Sequence, residues 1–376
     1  SRVYQSLSYE IFESIKFFLP PKASYKRSCR MNDFNKENEK NEEDETYQES
    51  KKLQSEQLEA KQLMIAKLLS FMPPLHKLPP TLFRPIFSMM DRILGLKKIK
   101  MHQVVDVNIP VSTHNSDTTT IKIRTYYPTN PIEKTPLKTL VYFHGGGCVI
   151  GSIHTHDRFC RYLAKHGNMN IISVDYRLSP EYKFPTPIYD AIDAWNYIHD
   201  NYKTLNINPK YIGVGGDSAG AYLACLIGLK TLQTELPVQS KVTPQFQFLL
   251  YPMLDLQGLT ESYRRFNKQL LLTRDLMDYF RQHYLNSLDE AALPLVSPLL
   301  TNDISESPNS YILTLGFDPL RDDGIEYAER LKAAGIATHH EHYADCMHGF
   351  ISVTALSARA KQATHNVAMA LNRFNH

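Results

Sequence analysis

The apolar residues of this chain change their period near residue 100. From there onward, short apolar or alternating runs recur at 102–109, 121–127, 138–144, 170–175, 211–216, 245–251, 310–316 and 337–343, each of strand length. From the third run on, stretches of helical spacing separate them, notably Asp157–Lys165, Pro187–Tyr202, Ala221–Thr234 and Asp322–Ala334. Such alternation predicts an α/β fold with an eight-stranded, mostly parallel sheet and helices on both faces. The first two runs have no helix between them, so they are expected to pair antiparallel at one edge. Ser352–Phe374 reads as a closing amphipathic helix packed on the core.

Before residue 95 the pattern is helical only. Ile11, Phe12, Ile15, Phe18 and Leu19 form one apolar cluster, and Leu82, Phe83, Ile86, Phe87, Met89 and Met90 form another. Between them lies the polar stretch Asn32–Ala60, either a linker or the solvated start of a helix running on through Leu63, Ile65, Leu68 and Leu69. The expected organisation is a helical N-terminal cap at 1–95 and a catalytic domain at 96–376. A second cap element is expected at 256–296, where far more chain is inserted than a connection requires. There Leu270, Leu271, Leu272, Leu276, Met277, Tyr279, Phe280 and Tyr284 either face a pocket or pack the insert onto the domain.

Within the strand-and-helix region one segment carries chemistry. Gly216-Asp217-Ser218-Ala219-Gly220 follows the apolar run at 211–215 and precedes a helical stretch, so a serine sits where a strand turns sharply into a helix. Glycines at 216 and 220 suit the crowding of that turn, and Ser218 is expected to be pushed up into solvent. Upstream, the run Leu140-Val141-Tyr142-Phe143 ends in His144-Gly145-Gly146-Gly147. Glycine-rich backbone there, with the N–H of Ala219, can supply the donors that an acyl-transfer oxyanion needs. A phosphate cradle fits poorly, because no Lys-Ser or Lys-Thr pair follows.

A serine nucleophile needs a base and a group to orient it, and in this arrangement both follow the serine in the chain. Asp318, just after the strand at 310–316, is the candidate acid, and His348, in the expected loop Ala344–Phe350, is the candidate base. Asp322 and Asp323 read as caps of the next helix, and Asp255 precedes the insert. Of the fifteen histidines, His339, His340 and His342 lie inside a strand, too early for the base and poorly spaced for a metal.

These motifs, together with Asp318-Pro319-Leu320-Arg321-Asp322, His348-Gly349-Phe350 and Asp175-Tyr176-Arg177-Leu178-Ser179-Pro180-Glu181, resemble the hormone-sensitive-lipase family of α/β-hydrolases, which includes many bacterial carboxylesterases. The resemblance covers roughly residues 100–376. It implies the α/β-hydrolase fold, a Ser218–Asp318–His348 triad, and an oxyanion hole from the backbone of Gly146, Gly147 and Ala219 with Gly145 supporting the loop. Cys148 departs from the pattern, since an aromatic residue commonly follows the glycines, and the pocket's shape is left open by that departure.

The expected function is a serine carboxylic-ester hydrolase acting on short to medium acyl esters, a small-molecule substrate, with no metal or organic cofactor. Alternatives are amide or N-acetyl cleavage by the same triad, or a ligand-binding protein on the hydrolase scaffold, as in the plant gibberellin receptors. A prolyl-oligopeptidase type is disfavoured by the lack of repeats. Charge adds little, because 42 Lys and Arg against 39 Asp and Glu give no reason to invoke nucleic acid. Five unpaired-looking cysteines, at 29, 148, 160, 225 and 346, suit a reducing compartment, and Cys346 sits two residues before His348. With no run long enough to span a bilayer and no signal-peptide pattern, a cytoplasmic protein is expected. The start at Ser1 leaves an upstream targeting segment open. Contact of the Ile11–Leu19 segment with a lipid surface ranks below cap packing, and a homodimer is compatible with the sequence though no interface is marked.

Overall fold

The computed structural model describes residues 51–53, 57–70, 74–112, 119–131, 137–268 and 270–373. The apolar cluster at 11–19, Cys29 and most of the polar stretch 32–60 lie outside the described residues.

Eight strands form one sheet: β1 Gln103–Pro110, β2 Thr120–Tyr127, β3 Thr139–Phe143, β4 Asn170–Asp175, β5 Ile212–Asp217, β6 Phe246–Leu250, β7 Asn309–Phe317 and β8 Thr338–Met347. Their order is β1-β2-β4-β3-β5-β6-β7-β8. β1 pairs antiparallel with β2, β2 antiparallel with β4, and every other neighbour is parallel. β3, β5 and β6 are buried along their whole length, as expected of central strands covered on both faces. Along β3 the alternation divides the core: Val141 and Phe143 pack into one apolar cluster, and Leu140 and Tyr142 into the other.

One cluster is closed by α2 Pro80–Leu94, α4 Thr186–Asp200, α5 Ala219–Gly228, α7 Arg274–Tyr284 and α8 Arg321–Ala333. The other is closed by α1 Ala60–Ser70, α3 Asp157–Gly167 and α9 Ala358–Arg373. A short helix, α6 Glu261–Arg265, lies in the insert after β6. No helix among the described residues is long and apolar enough to cross a membrane.

Four of the boundaries that differ from the sequence pattern have a clear local reason. α1 starts at Ala60 because the Glu59 carboxylate accepts the N–H groups of Lys61 and Gln62, both at 3.0 Å, which caps the helix there. α5 stops at Gly228 rather than near Thr234, and a tight turn follows at Lys230–Gln233. Buried Gln233 ties that turn down, donating from Nε2 to the Leu226 carbonyl at 2.6 Å and accepting the Ser240 N–H at 2.7 Å. α9 begins at Ala358, not Ser352, where the Ser357 hydroxyl caps it by accepting the Ala360 N–H at 2.9 Å. β8 runs on to Met347, so the segment expected as a loop from Ala344 is strand for most of its length. A register irregularity between Leu315 and Phe317 lets Met347 pair with Phe317 beyond the expected end.

Candidate active site

The turn between β5 and α5 is built from sterics. Ser218 has φ 55° and ψ −117°, a conformation that a side chain normally avoids. Its neighbours impose it: the Ser218 N–H donates to the Leu250 carbonyl at 2.9 Å, and its own carbonyl accepts the N–H groups of Met253 and Tyr222, both at 3.2 Å. A Cβ on Gly220 would run into the Phe143 carbonyl, and one on Gly216 would meet that same carbonyl and the Gly220 backbone. Rather than standing out in solvent, Ser218 is only 8% exposed and opens onto a cavity of about 400 Å³.

His348 lies just past the end of β8, and its ring bridges two of the residues singled out in the sequence. Nδ1 is 2.7 Å from Asp318 Oδ2 and Nε2 is 3.0 Å from Ser218 Oγ. A carboxylate only accepts, so Nδ1 carries the proton and Nε2 is left to accept from the serine hydroxyl. Asp318, directly after β7, is completely buried, and its other oxygen accepts the Leu320 N–H at 2.8 Å. Tyr251, which the sequence pattern did not single out, packs T-shaped against His348, ring centroids 4.7 Å apart, from a backbone with φ 38°.

The competing residues lie elsewhere. Asp322 and Asp323 do sit in the first turn of α8, but neither side chain caps that helix. Asp323 is buried and accepts the N–H groups of Leu254 at 3.3 Å and Asp255 at 3.0 Å, while Asp322 accepts the Ser262 N–H at 2.7 Å. Both carboxylates therefore tie the segment after β6 to the start of α8, since the N–H groups of buried Leu254, Asp255 and Ser262 need acceptors more than the helix start does. Burial, with Asp255 nearby, pushes the Asp323 carboxyl well above its usual range. His340 Nε2 and His342 Nδ1 each lie 2.8 Å from the Thr314 hydroxyl, and His339 stacks on Tyr311. Among the described residues no group of three His, Cys, Asp or Glu is placed to hold a metal.

The glycine loop after β3 is fixed by a buried carboxylate inside the serine motif itself. Asp217 Oδ1 accepts the Gly145 N–H at 2.9 Å and the Tyr142 hydroxyl at 2.5 Å, and His156 Nε2 lies 3.3 Å away. Burial works against the charge on Asp217, but the opposing His156 charge and these hydrogen bonds outweigh it and hold the carboxyl below its usual range. Burial likewise opposes a charged His156, and Asp217 outweighs it, raising that imidazole. Neither residue was a candidate from the sequence; an aspartate between glycines at the end of an apolar strand was the available signal. With Gly145 engaged, the N–H groups of Gly146, Gly147 and Ala219 have no acceptor among the described residues. Gly147 has φ 62°, and a Cβ there would strike the Phe280 ring, so an aromatic from the insert covers the loop that Cys148 does not.

The cavity walls come from both predicted cap regions. Phe83, Phe87 and Met90 of α2 face it, as do Leu270, Leu271, Leu272, Leu276 and Phe280 of the insert. Met277, Tyr279 and Tyr284 turn into the core instead, with the Tyr284 and Tyr222 hydroxyls 3.0 Å apart. Arg84 clamps α2 onto the segment that starts at Asp175, donating to the Val149 carbonyl at 2.9 Å, the Ser179 carbonyl at 2.8 Å and both Glu181 oxygens. Asp91 is the acidic group in the α2 wall, and burial raises its carboxyl to about 6. Cys346 is a buried free thiol pushed up to about 12 by desolvation.

An open sheet with a serine elbow, a histidine bridging it to a buried aspartate, and bare N–H groups alongside defines an α/β-hydrolase. A family profile described as alpha/beta hydrolase fold matches residues 140–352, and the chain belongs to that family, the hormone-sensitive-lipase-like hydrolases. It is 30% identical to an ethyl acetate hydrolase of Pseudomonas putida over 80% of this chain and 92% of that one. It is 36% identical to the carboxylic ester hydrolase LipN of Mycobacterium tuberculosis, a match spanning 63% of each chain. Among solved structures, an ester hydrolase from the metagenome of Lake Arreo superposes with a TM-score of 0.77 at 32% identity, covering 84% of this chain and 99% of that one. The esterase of Pyrobaculum calidifontis superposes at 0.73 with 31% identity, covering 84% and 99%.

Proposed function

We propose that this protein is a serine carboxylic-ester hydrolase acting on short to medium acyl esters through an acyl-enzyme. The observation that carries the reading is the continuous hydrogen-bonded chain Asp318–His348–Ser218, set beside three N–H groups that have no acceptor among the described residues. Ser218 Oγ attacks the ester carbonyl carbon while its proton passes to His348 Nε2. The negative carbonyl oxygen is received by the N–H groups of Gly146, Gly147 and Ala219. When the C–O bond to the alcohol breaks, His348 returns the proton to the departing oxygen. Water then attacks the acyl group, His348 takes a proton from it, and the acid leaves as Ser218 recovers its own. Asp318 holds the imidazole in the required tautomer and stabilises its charged form. No step calls for a metal or organic cofactor.

The N-terminal helices and the insert at 256–296 serve as the cap, walling an apolar pocket for the acyl chain. Initial rates on p-nitrophenyl esters of increasing acyl length test the reading, with folded Ser218→Ala alongside. The expected result is a maximum at one chain length and a loss of about 10⁴-fold or more in Ser218→Ala. Hydrolysis that survives in Ser218→Ala, or a folded wild type inert on every ester, would overturn it.

A further inference from the structure

Among the described residues β8 is an edge strand, so one side of its backbone has no neighbouring strand there to satisfy it. At its last residue that role is taken by a side chain from the far end of the sequence. Gln62, on α1, is completely buried, and its Oε1 accepts the Met347 N–H at 2.9 Å. Its Nε2 points at the Cys346 sulfur, 3.5 Å away. Next to it, the Glu59 N–H donates to the Asp345 carbonyl at 3.0 Å, and the Glu59 carboxylate accepts the Ser357 hydroxyl at 2.8 Å. α1 therefore grips residues 345 to 347 as a missing strand would. The residue that follows is His348, whose own N–H donates to the Phe317 carbonyl at 3.2 Å, one residue before Asp318.

We propose that Gln62 is a positioning residue for the base: by holding the Met347 backbone, its amide sets where the His348 imidazole sits between Asp318 and Ser218. This rests on the ester-hydrolase reading above. The physical reason is that β8 ends in a register irregularity, where ladder pairing alone leaves the strand end free to shift. The irregular end needs an outside constraint, and a glutamine amide supplies an acceptor of fixed reach from a docked helix. Docking of α1, which also contributes Ala66 and Ser70 to the cavity wall, is thereby coupled to the alignment of the catalytic base.

The test compares Gln62→Met, which keeps length and packing but removes the amide acceptor, with Gln62→Glu, which keeps an acceptor oxygen in place. Turnover of p-nitrophenyl butyrate is expressed per active site titrated with a fluorophosphonate, so that misfolded protein does not enter the rate. For Gln62→Met we expect kcat to fall about 10- to 100-fold, the scale of a small misplacement of a catalytic group, with KM within about twofold of wild type. Gln62→Glu should restore most of that loss. A kcat per site unchanged in Gln62→Met, or equal impairment in Gln62→Glu, would overturn the proposal. If Gln62→Met does not fold, Gln62→Asn, still polar but too short to reach, carries the same test with the same two outcomes. The low-field proton resonance of the His348 Nδ1–H in the Asp318 hydrogen bond gives a readout independent of esters: it should shift or vanish in Gln62→Met and stay put if Gln62 is merely structural. A wild type inactive on esters would sink the function above, while that resonance would still decide the role of Gln62.

Discussion

The two halves of the site are assembled over different distances along the chain. On the serine side, the main parts come from two short segments, 142–147 and 216–220, on adjacent strands, with further ties from Leu250, Met253 and His156, and the turn itself follows from what the glycines sterically allow. On the base side, His348 owes its position to Phe317, Tyr251 and, through Met347, to Gln62 some 285 residues away. Where a geometry is enforced by neighbouring backbone, few other arrangements are open to it. Where it is enforced by a docked helix, anything that loosens the docking is felt at His348.

That contrast can be tested from either side. The largest effect is expected at the base: Asp318→Asn should retain its fold and lose about 10⁴-fold in kcat, because an amide can donate to Nδ1 and favours the wrong imidazole tautomer. Steady-state kinetics on the preferred ester, with circular dichroism as the fold control, would show it; a loss of only a few-fold would mean that the imidazole is oriented by other contacts. On the nucleophile side, Asp217→Asn removes the charge that faces His156 and weakens the tether of Gly145. Breaking a buried pair of this kind costs about 3–5 kcal/mol, so urea denaturation should show a much lower midpoint. An unchanged midpoint would break the view of this side as one self-supporting unit.

The smallest effect concerns the α2 wall between them. Asp91 has a folded-state carboxyl near 6 against an ordinary value of 3.8, so the folded protein binds the proton more tightly than the unfolded chain does. Stability is therefore highest below that window and declines as pH rises from about 4 through about 6. Asp91→Asn should match wild type near pH 4 and be more stable at pH 8, by on the order of 2 kcal/mol. Thermal unfolding across that range checks it, and a gain that is the same at both pH values would show that the carboxyl does not titrate as burial dictates.

Much of the fold was legible because its signals are short-range and redundant. Strand-length apolar runs alternating with helical stretches mark a parallel sheet, and the absence of a helix between the first two runs marks their antiparallel pairing. Helix ends were less legible. The caps at Glu59 and Ser357, and the side-chain tie at Gln233, each depend on one polar residue among many similar ones. The reading of Asp322 and Asp323 as caps failed for a related reason. A carboxylate at the start of a helix satisfies the general preference, yet the nearest unsatisfied N–H groups belonged to the segment after β6, which only the folded chain brings there.

The sequence by itself determined the α/β architecture and the serine turn, because each is written in short local runs whose backbone options are few. Only the tertiary structure decided that Asp217 and His156 meet as a buried pair, that Phe280 covers the glycine loop where Cys148 offers no aromatic, and that Gln62 completes the edge of β8. These contacts join residues tens to hundreds of positions apart, and their strength comes from burial, which excludes water from the pairing and leaves each polar group dependent on the partner the fold delivers.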